Sequence, residues 1–273
     1  AVLLFTRLFV IAQIDTSTIV YSWKLDKYYA NHIRNDVDTL PDNFQIHNPI
    51  FRNYISAATL GNYGLPASSN VFSQRNYDQE FVVINSFFPF MKFPENTTYF
   101  NTRKPFTQIC YIKGGSSQNK EEILDAFHTQ NLTKTLNVGL HYTTVGAIGQ
   151  YQFQKVKNNS FNFFSSLSST LYSYHLSVNL NKIIADENGG ITSDAHITDT
   201  TYSFTKDIPT LFSGTDNPPQ HVPDVYNEIR NLNIFTVQEL SFRKSNTKTD
   251  SGTTVRKIRI FYPKLIYIFQ LNR

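Results

Sequence analysis

Leu171-Tyr172-Ser173-Tyr174-His175-Leu176-Ser177-Val178-Asn179-Leu180-Asn181 decides how this chain folds. Tyr172, Tyr174, Leu176, Val178 and Leu180 alternate without exception with Ser173, His175, Ser177, Asn179 and Asn181. A repeat of two places the two sets on opposite faces of a strand, whereas a helix would need a repeat of 3.6. The stretch is a strand with one apolar and one polar face.

Similar segments recur on either side, separated by turn-forming clusters. Phe106 to Lys113 runs into Gly114-Gly115-Ser116-Ser117, and Glu121 to Asn131 follows. In Thr135 to Val145, Leu136, Val138, Leu140 and Tyr142 alternate with Asn137, Gly139, His141 and Thr143. Ser160 to Leu167, Asn233 to Arg243 and Val255 to Gln270 complete the series, with a long loop expected over 183–231. The expected fold is all-β: an antiparallel meander forming part of a truncated transmembrane β-barrel over residues 106–273. Residues 14–105 are broken by Pro41, Pro49, Pro66, Pro89, Pro94 and Pro105 and show only short periodic runs. They read as an irregular segment, periplasmic or a partial plug. Residues 1–13, AVLLFTRLFVIAQ, read as the remnant of a secretory signal.

Strict alternation fits two architectures. A soluble sandwich buries the apolar face and wets the polar one. A membrane barrel turns the apolar face to lipid and the polar one to a lumen. Membrane-crossing strands need about nine to eleven residues, against five or six in most soluble sheets. Several segments here reach the longer range. The polar face also carries Ser, Asn, Thr and His in place of Lys and Glu, and Tyr172 and Tyr174 stand where an interfacial aromatic girdle would fall. The barrel reading makes Leu136, Val138, Leu140, Tyr172, Tyr174, Leu176, Val178 and Leu180 lipid-facing. It makes Asn137, His141, Ser173, His175, Ser177 and Asn179 lumen-facing, so acid pH would add positive charge to the lumen through the two imidazoles.

Composition agrees. Only 17% of the 273 residues are charged, while 15% are aromatic, and Asn, Ser and Thr number 26, 22 and 27. A net charge of +4 without a basic run gives no nucleic-acid footprint. The single cysteine, Cys110, excludes an internal disulfide and cysteine-based zinc patterns. The seven histidines show no metal-ligand spacing, and Asp186-Glu187-Asn188-Gly189-Gly190 lacks the ligand periodicity of a calcium loop. No nucleophile elbow, phosphate loop or dinucleotide fingerprint occurs. The chain is read as a non-enzyme without a cofactor or metal.

Several islands, in order, resemble the putative porins of Bacteroidetes, an outer-membrane barrel family of unassigned substrate. They are Asp38-Thr39-Leu40 with Asn43-Phe44-Gln45-Ile46-His47-Asn48-Pro49-Ile50-Phe51-Arg52, then Leu60-Gly61-Asn62-Tyr63-Gly64-Leu65-Pro66 with Ser69-Asn70-Val71-Phe72. Asn101-Thr102-Arg103-Lys104-Pro105-Phe106-Thr107, His128-Thr129-Gln130-Asn131, Gly149-Gln150-Tyr151-Gln152 with Asn159-Ser160-Phe161, and Glu187-Asn188-Gly189-Gly190-Ile191 follow. The resemblance implies an outer-membrane location in a Gram-negative bacterium, membrane lipid and small hydrophilic solutes as partners, and passive diffusion as the function. It also implies a longer protein of which this chain is an N-terminal part. Two other readings remain open: an outer-membrane scaffold barrel without an open channel, and a secreted β-sandwich that binds glycans or proteins.

Overall fold

The structure, a computed structural model, describes residues 19–26, 32–35, 48–75, 82–169, 171–212, 225–241 and 264–273. The expected signal remnant, the island over 38–47 and the first part of the last expected segment, 255–263, lie outside the described residues.

Seven long strands form one antiparallel meander: β6 (Phe106–Gly114), β7 (Glu121–Asn131), β8 (Leu136–Ala147), β9 (Val156–Ser168), β10 (Tyr172–Asp186), β11 (Tyr226–Ser241) and β12 (Lys264–Asn272). Each pairs with its sequence neighbour, in the order β12-β11-β10-β9-β8-β7-β6. Among the described residues β6 and β12 are free edges, so the sheet is open. The fold is all-β, as the alternation predicts.

The expected loop over 183–231 is shorter than the sequence suggests, since β10 continues to Asp186 and β11 begins at Tyr226. The reason is a switch of parity. Up to Asn181 the odd positions of β10 are polar, but Ile183 and Ala185, also odd, are apolar and buried. Alternation read from one set of positions therefore ends too early. The same happens where β9 starts at Val156, ahead of the expected Ser160.

Residues before Phe106 form shorter pieces: β1 (Ile19–Leu25), β2 (His32–Asn35), β3 (Ala57–Thr59), β4 (Ala67–Ser69) and β5 (Tyr99–Thr102), with single helical turns between them. The order β2-β1-β5 makes a small antiparallel sheet, and β3 pairs with β4. The proline-marked stretch Phe87 to Thr97 folds as two 3-10 turns, since proline lacks the N–H that a ladder requires. These pieces lie against one face of the large sheet, called here the inner face. Ile50, Ala67 and Phe90 pack with Ile123 and Val145, while Phe87, Met91 and Phe93 pack with Ile183. Leu65 packs with Val156 and Ala185, and Trp23 and Tyr99 pack with Phe164. The core lies between the N-terminal pieces and the sheet.

Candidate functional site: the covered inner face

Residues directly opposite in a ladder share a face, so the register fixes the rows of the inner face. Asn137, Ser166 and His175 form one row, Gly139, Phe164 and Ser177 the next, and His141, Asn162 and Asn179 a third. On β11 these rows continue into Val237, Phe235 and Asn233, so the inner face mixes polar and apolar side chains, and it is the buried one. His175 is 4% exposed, and Ser177 and Asn179 are 0% exposed. Buried polar groups of this kind need partners, because each unpaired one costs about 1–3 kcal/mol.

Those partners come from the wall and from the N-terminal pieces. Asn162 Nδ2 donates to Asn179 Oδ1 at 2.7 Å and to Ser177 Oγ at 3.1 Å, and Ser177 Oγ is 2.9 Å from Thr97 Oγ1. The Lys92 backbone N–H donates to Asn181 Oδ1 at 2.8 Å, and Asn181 Nδ2 returns a bond to the Lys92 carbonyl at 2.9 Å. Ser160 Oγ donates to the Phe90 carbonyl at 2.6 Å, and Asn158 Nδ2 to the Gly64 carbonyl at 3.0 Å. The wall therefore supplies side chains that satisfy the backbone of an irregular segment. Strand pairing satisfies its own amides, which frees Asn and Ser side chains for that role.

His175 accepts a hydrogen bond at Nε2 from the Trp23 indole N–H at 3.0 Å, with the Tyr99 ring 4.8 Å away edge-on. Only an unprotonated imidazole nitrogen accepts such a bond. His175 packs beneath the small sheet, which removes the basis for expecting it to carry charge into an open lumen. Nor does the structure bring His141 and His175 together, since β9 runs between their strands and their rows differ.

His141 instead joins a charged cluster. Its Nε2 lies 3.0 Å from both carboxylate oxygens of Asp125, and its Nδ1 lies 3.1 Å from Lys92 Nζ. Thr143 Oγ1 also donates to Asp125, at 3.0 Å. A neutral imidazole protonated at Nε2 satisfies both neighbours, donating to Asp125 and accepting from Lys92. Burial pushes the Lys92 ammonium down to about 8, with the Asp125 carboxylate opposing the shift and Arg52 adding to it. Alternation does not reveal this cluster, because its members stand far apart in sequence. The signal available is a lone lysine in the apolar run Phe87-Phe88-Pro89-Phe90-Met91-Lys92-Phe93.

The depressed value has a signed consequence. The unfolded chain holds the Lys92 proton up to its ordinary 10.5, while the folded chain releases it near 8. Folding stability therefore rises with pH across that window. Relative to Lys92→Met, the wild-type protein should gain on the order of 3 kcal/mol between the two pH values. Thermal midpoints of both proteins in the same detergent test this, and a difference that does not change with pH would put Lys92 in water.

The other face of the sheet is the outer face. Leu136, Val138 and Leu140 of β8, and Tyr172, Tyr174, Leu176, Val178 and Leu180 of β10, all stand on it. Phe161, Phe163 and Leu167 of β9 continue it, as do Leu232, Ile234 and Leu240 of β11 and Leu265, Tyr267, Phe269 and Leu271 of β12. None of the described N-terminal pieces covers it, and Leu140, Leu180, Leu240, Leu265, Phe269 and Leu271 are exposed. Ser173, named with the polar set, stands on the inner face and is half-buried. Among the described residues no group of three His, Cys, Asp or Glu side chains comes together as a metal site would require.

A family model described as a putative porin matches residues 19–272. No curated protein and no solved structure matches the chain.

Proposed function

Because this chain belongs to the putative porin family, we propose that its meander is wall of an outer-membrane β-barrel passing small hydrophilic solutes by passive diffusion. The observation that carries this reading is the sheet's second, outer face, apolar along β8 to β12 and left open while the mixed inner face is covered. A soluble sandwich gains its stability by hiding the apolar stripe, at about 25 cal/mol per Å². Here Tyr172 to Leu180 is an outward apolar alternation of about nine residues, the length a tilted strand needs to cross the hydrocarbon. On this reading Leu136, Val138, Leu140, Tyr172, Tyr174, Leu176, Val178 and Leu180 meet lipid. Asn137, His141, Ser173, His175, Ser177 and Asn179 face the interior, where the described pieces of the segment 14–105 act as a partial plug.

Solutes would pass where the inner wall is uncovered, beside the part-exposed His141 and Asp125. A wall dominated by Asn, Ser and Thr gives little discrimination by charge. The full-length protein in planar bilayers should then show ohmic steps with a cation-to-anion permeability ratio near one. It should also migrate faster unboiled than boiled on a denaturing gel. The plug gives a second reading specific support: if the N-terminal pieces seal the interior, the barrel is a scaffold. Heat-modifiable migration without any conductance would favour that second reading. Recovery as a soluble protein would overturn both.

A further inference from the structure

On three adjacent strands of the outer face the apolar run ends in the same way. The next outward residue after Leu180 is Lys182, after Leu232 it is Arg230, and after Leu271 it is Arg273. Arg273 pairs through its backbone with Leu232, and Lys182 stands directly opposite Arg230. The three cations therefore form one patch at one edge of the apolar band. Beneath them runs a groove of about 650 Å³, its floor made by Tyr142, Phe161, Leu180 and Leu232. Glu228 is the carboxylate that meets the patch, 3.3 Å from Lys182 Nζ and 2.7 Å from Arg230 Nε. Among the side chains of the patch, three cations stand against one carboxylate. Exposed ion pairs of this kind contribute little and exchange readily for a better anion.

We propose that this groove is a binding site for a phosphate-bearing membrane lipid, its phosphate held by Lys182, Arg230 and Arg273 and an acyl chain laid along the aromatic and leucine floor. The inference rests on the barrel reading, which puts the outer face in lipid. Two features select this occupant over a protein or a soluble anion. An apolar floor running directly into a cationic rim complements an amphiphile whose charge and tail are covalently joined. The rim also falls where the apolar band stops, which is where lipid head groups lie in a bilayer. Arginine supplies a planar fork suited to phosphate oxygens, and lysine a mobile point charge beside it.

The test uses the full-length protein in phosphatidylcholine vesicles carrying a trace of spin-labelled phosphatidic acid or spin-labelled phosphatidylcholine. The fraction of each label held immobile at the protein surface is read by electron paramagnetic resonance. The immobile fraction should favour phosphatidic acid by about fivefold or more, since each cation near the interface is worth roughly that factor. K182Q/R230Q should bring the ratio close to one. E228Q, which removes the competing carboxylate, should raise it. K113Q/K120Q removes two charges beside Glu122, on β6 and in the turn leading to β7, with β6 four strands away from β10, and should leave the ratio unchanged. A wild-type ratio near one, with phosphatidylcholine still immobilised, overturns the site and leaves the barrel standing. So does a K182Q/R230Q ratio equal to that of the wild type, or complete displacement of the label by inorganic phosphate. If neither label is immobilised, the chain is not in the bilayer and the barrel reading fails with the proposal.

Discussion

Replacing Phe164 by alanine is expected to destabilise the protein by about 3–5 kcal/mol, the range for removing a buried aromatic ring. Phe164 is 1% exposed and sits on the inner face, with Tyr99, Phe100 and Phe127 at centroid distances of 6.1, 5.9 and 6.1 Å. It lies over Gly139 of the neighbouring strand, where an added Cβ would come 2.2 Å from the ring edge. Gly139 thus serves as a missing side chain that gives the ring its place. Gly139→Ala should unseat the same ring, so the two variants together should cost much less than the sum of each alone. Phe163→Ala, one residue along and on the outer face, is the control. Urea midpoints of the wild type and the four variants in one detergent check the expectation, and equal costs for Phe164→Ala and Phe163→Ala would mean that the faces are wrongly assigned.

The second large effect is expected at Val178. An arginine on the lipid side of a barrel near midplane costs about 2–4 kcal/mol. Val178 lies inside the outward run from Tyr172 to Leu180, flanked across the ladders by Phe163 and Ile234. Val178→Arg should therefore unfold at a lower denaturant concentration in bilayers, with a smaller loss in detergent. The matched inner substitution is not Ser177→Arg. From the sequence Ser177 looks like a tolerant polar position, but it is fully buried beneath Thr97. Thr143, half-buried beside Asp125, offers an arginine a counter-charge. Thr143→Arg should cost less than Val178→Arg, since Asp125 stands beside the introduced charge. Val178→Arg and Thr143→Arg with equal losses in lipid would contradict the lipid-facing assignment.

The contrast between Ser177 and Thr143 marks the boundary of what is legible in the sequence. Alternation in Leu171 to Asn181 identifies the strand, its two faces and the meander around it, because side-chain period is a local property of a ladder. It does not say which face is covered, nor by what. The covering pieces are strands of three to seven residues and single helical turns, too short to carry a period. Their partners are remote: Thr97 meets Asn162 across 65 residues and Asn181 meets Lys92 across 89. A local reading misplaces the ends of β10 and β11 for the same reason. Ile183 and Ala185 answer to Phe87, Met91 and Leu65, which no pattern around them can announce. The Lys92–His141–Asp125 cluster is hidden twice over, being split between an irregular segment and two strands.

The bond from Trp23 to His175 closes 152 residues of chain, and this separation sets an order of events in time. Every ladder of the meander joins sequence neighbours, so its contacts can form progressively as the chain is made. The N-terminal pieces are synthesised before any of the wall they rest on. Ile50, Ala67 and Phe90 can meet Ile123 and Val145 once β7 and β8 exist, but the contacts of Trp23 with His175 and of Phe93 with Ile183 wait for β10. Closing so long a loop earlier would carry an entropic penalty with no contacts to offset it. The residues that cap β10 are thus made before the strand they rest on and find their place only after it. Until then Trp23, Tyr99 and Phe93 remain uncovered apolar surface, a burden that falls on whatever escorts the nascent chain.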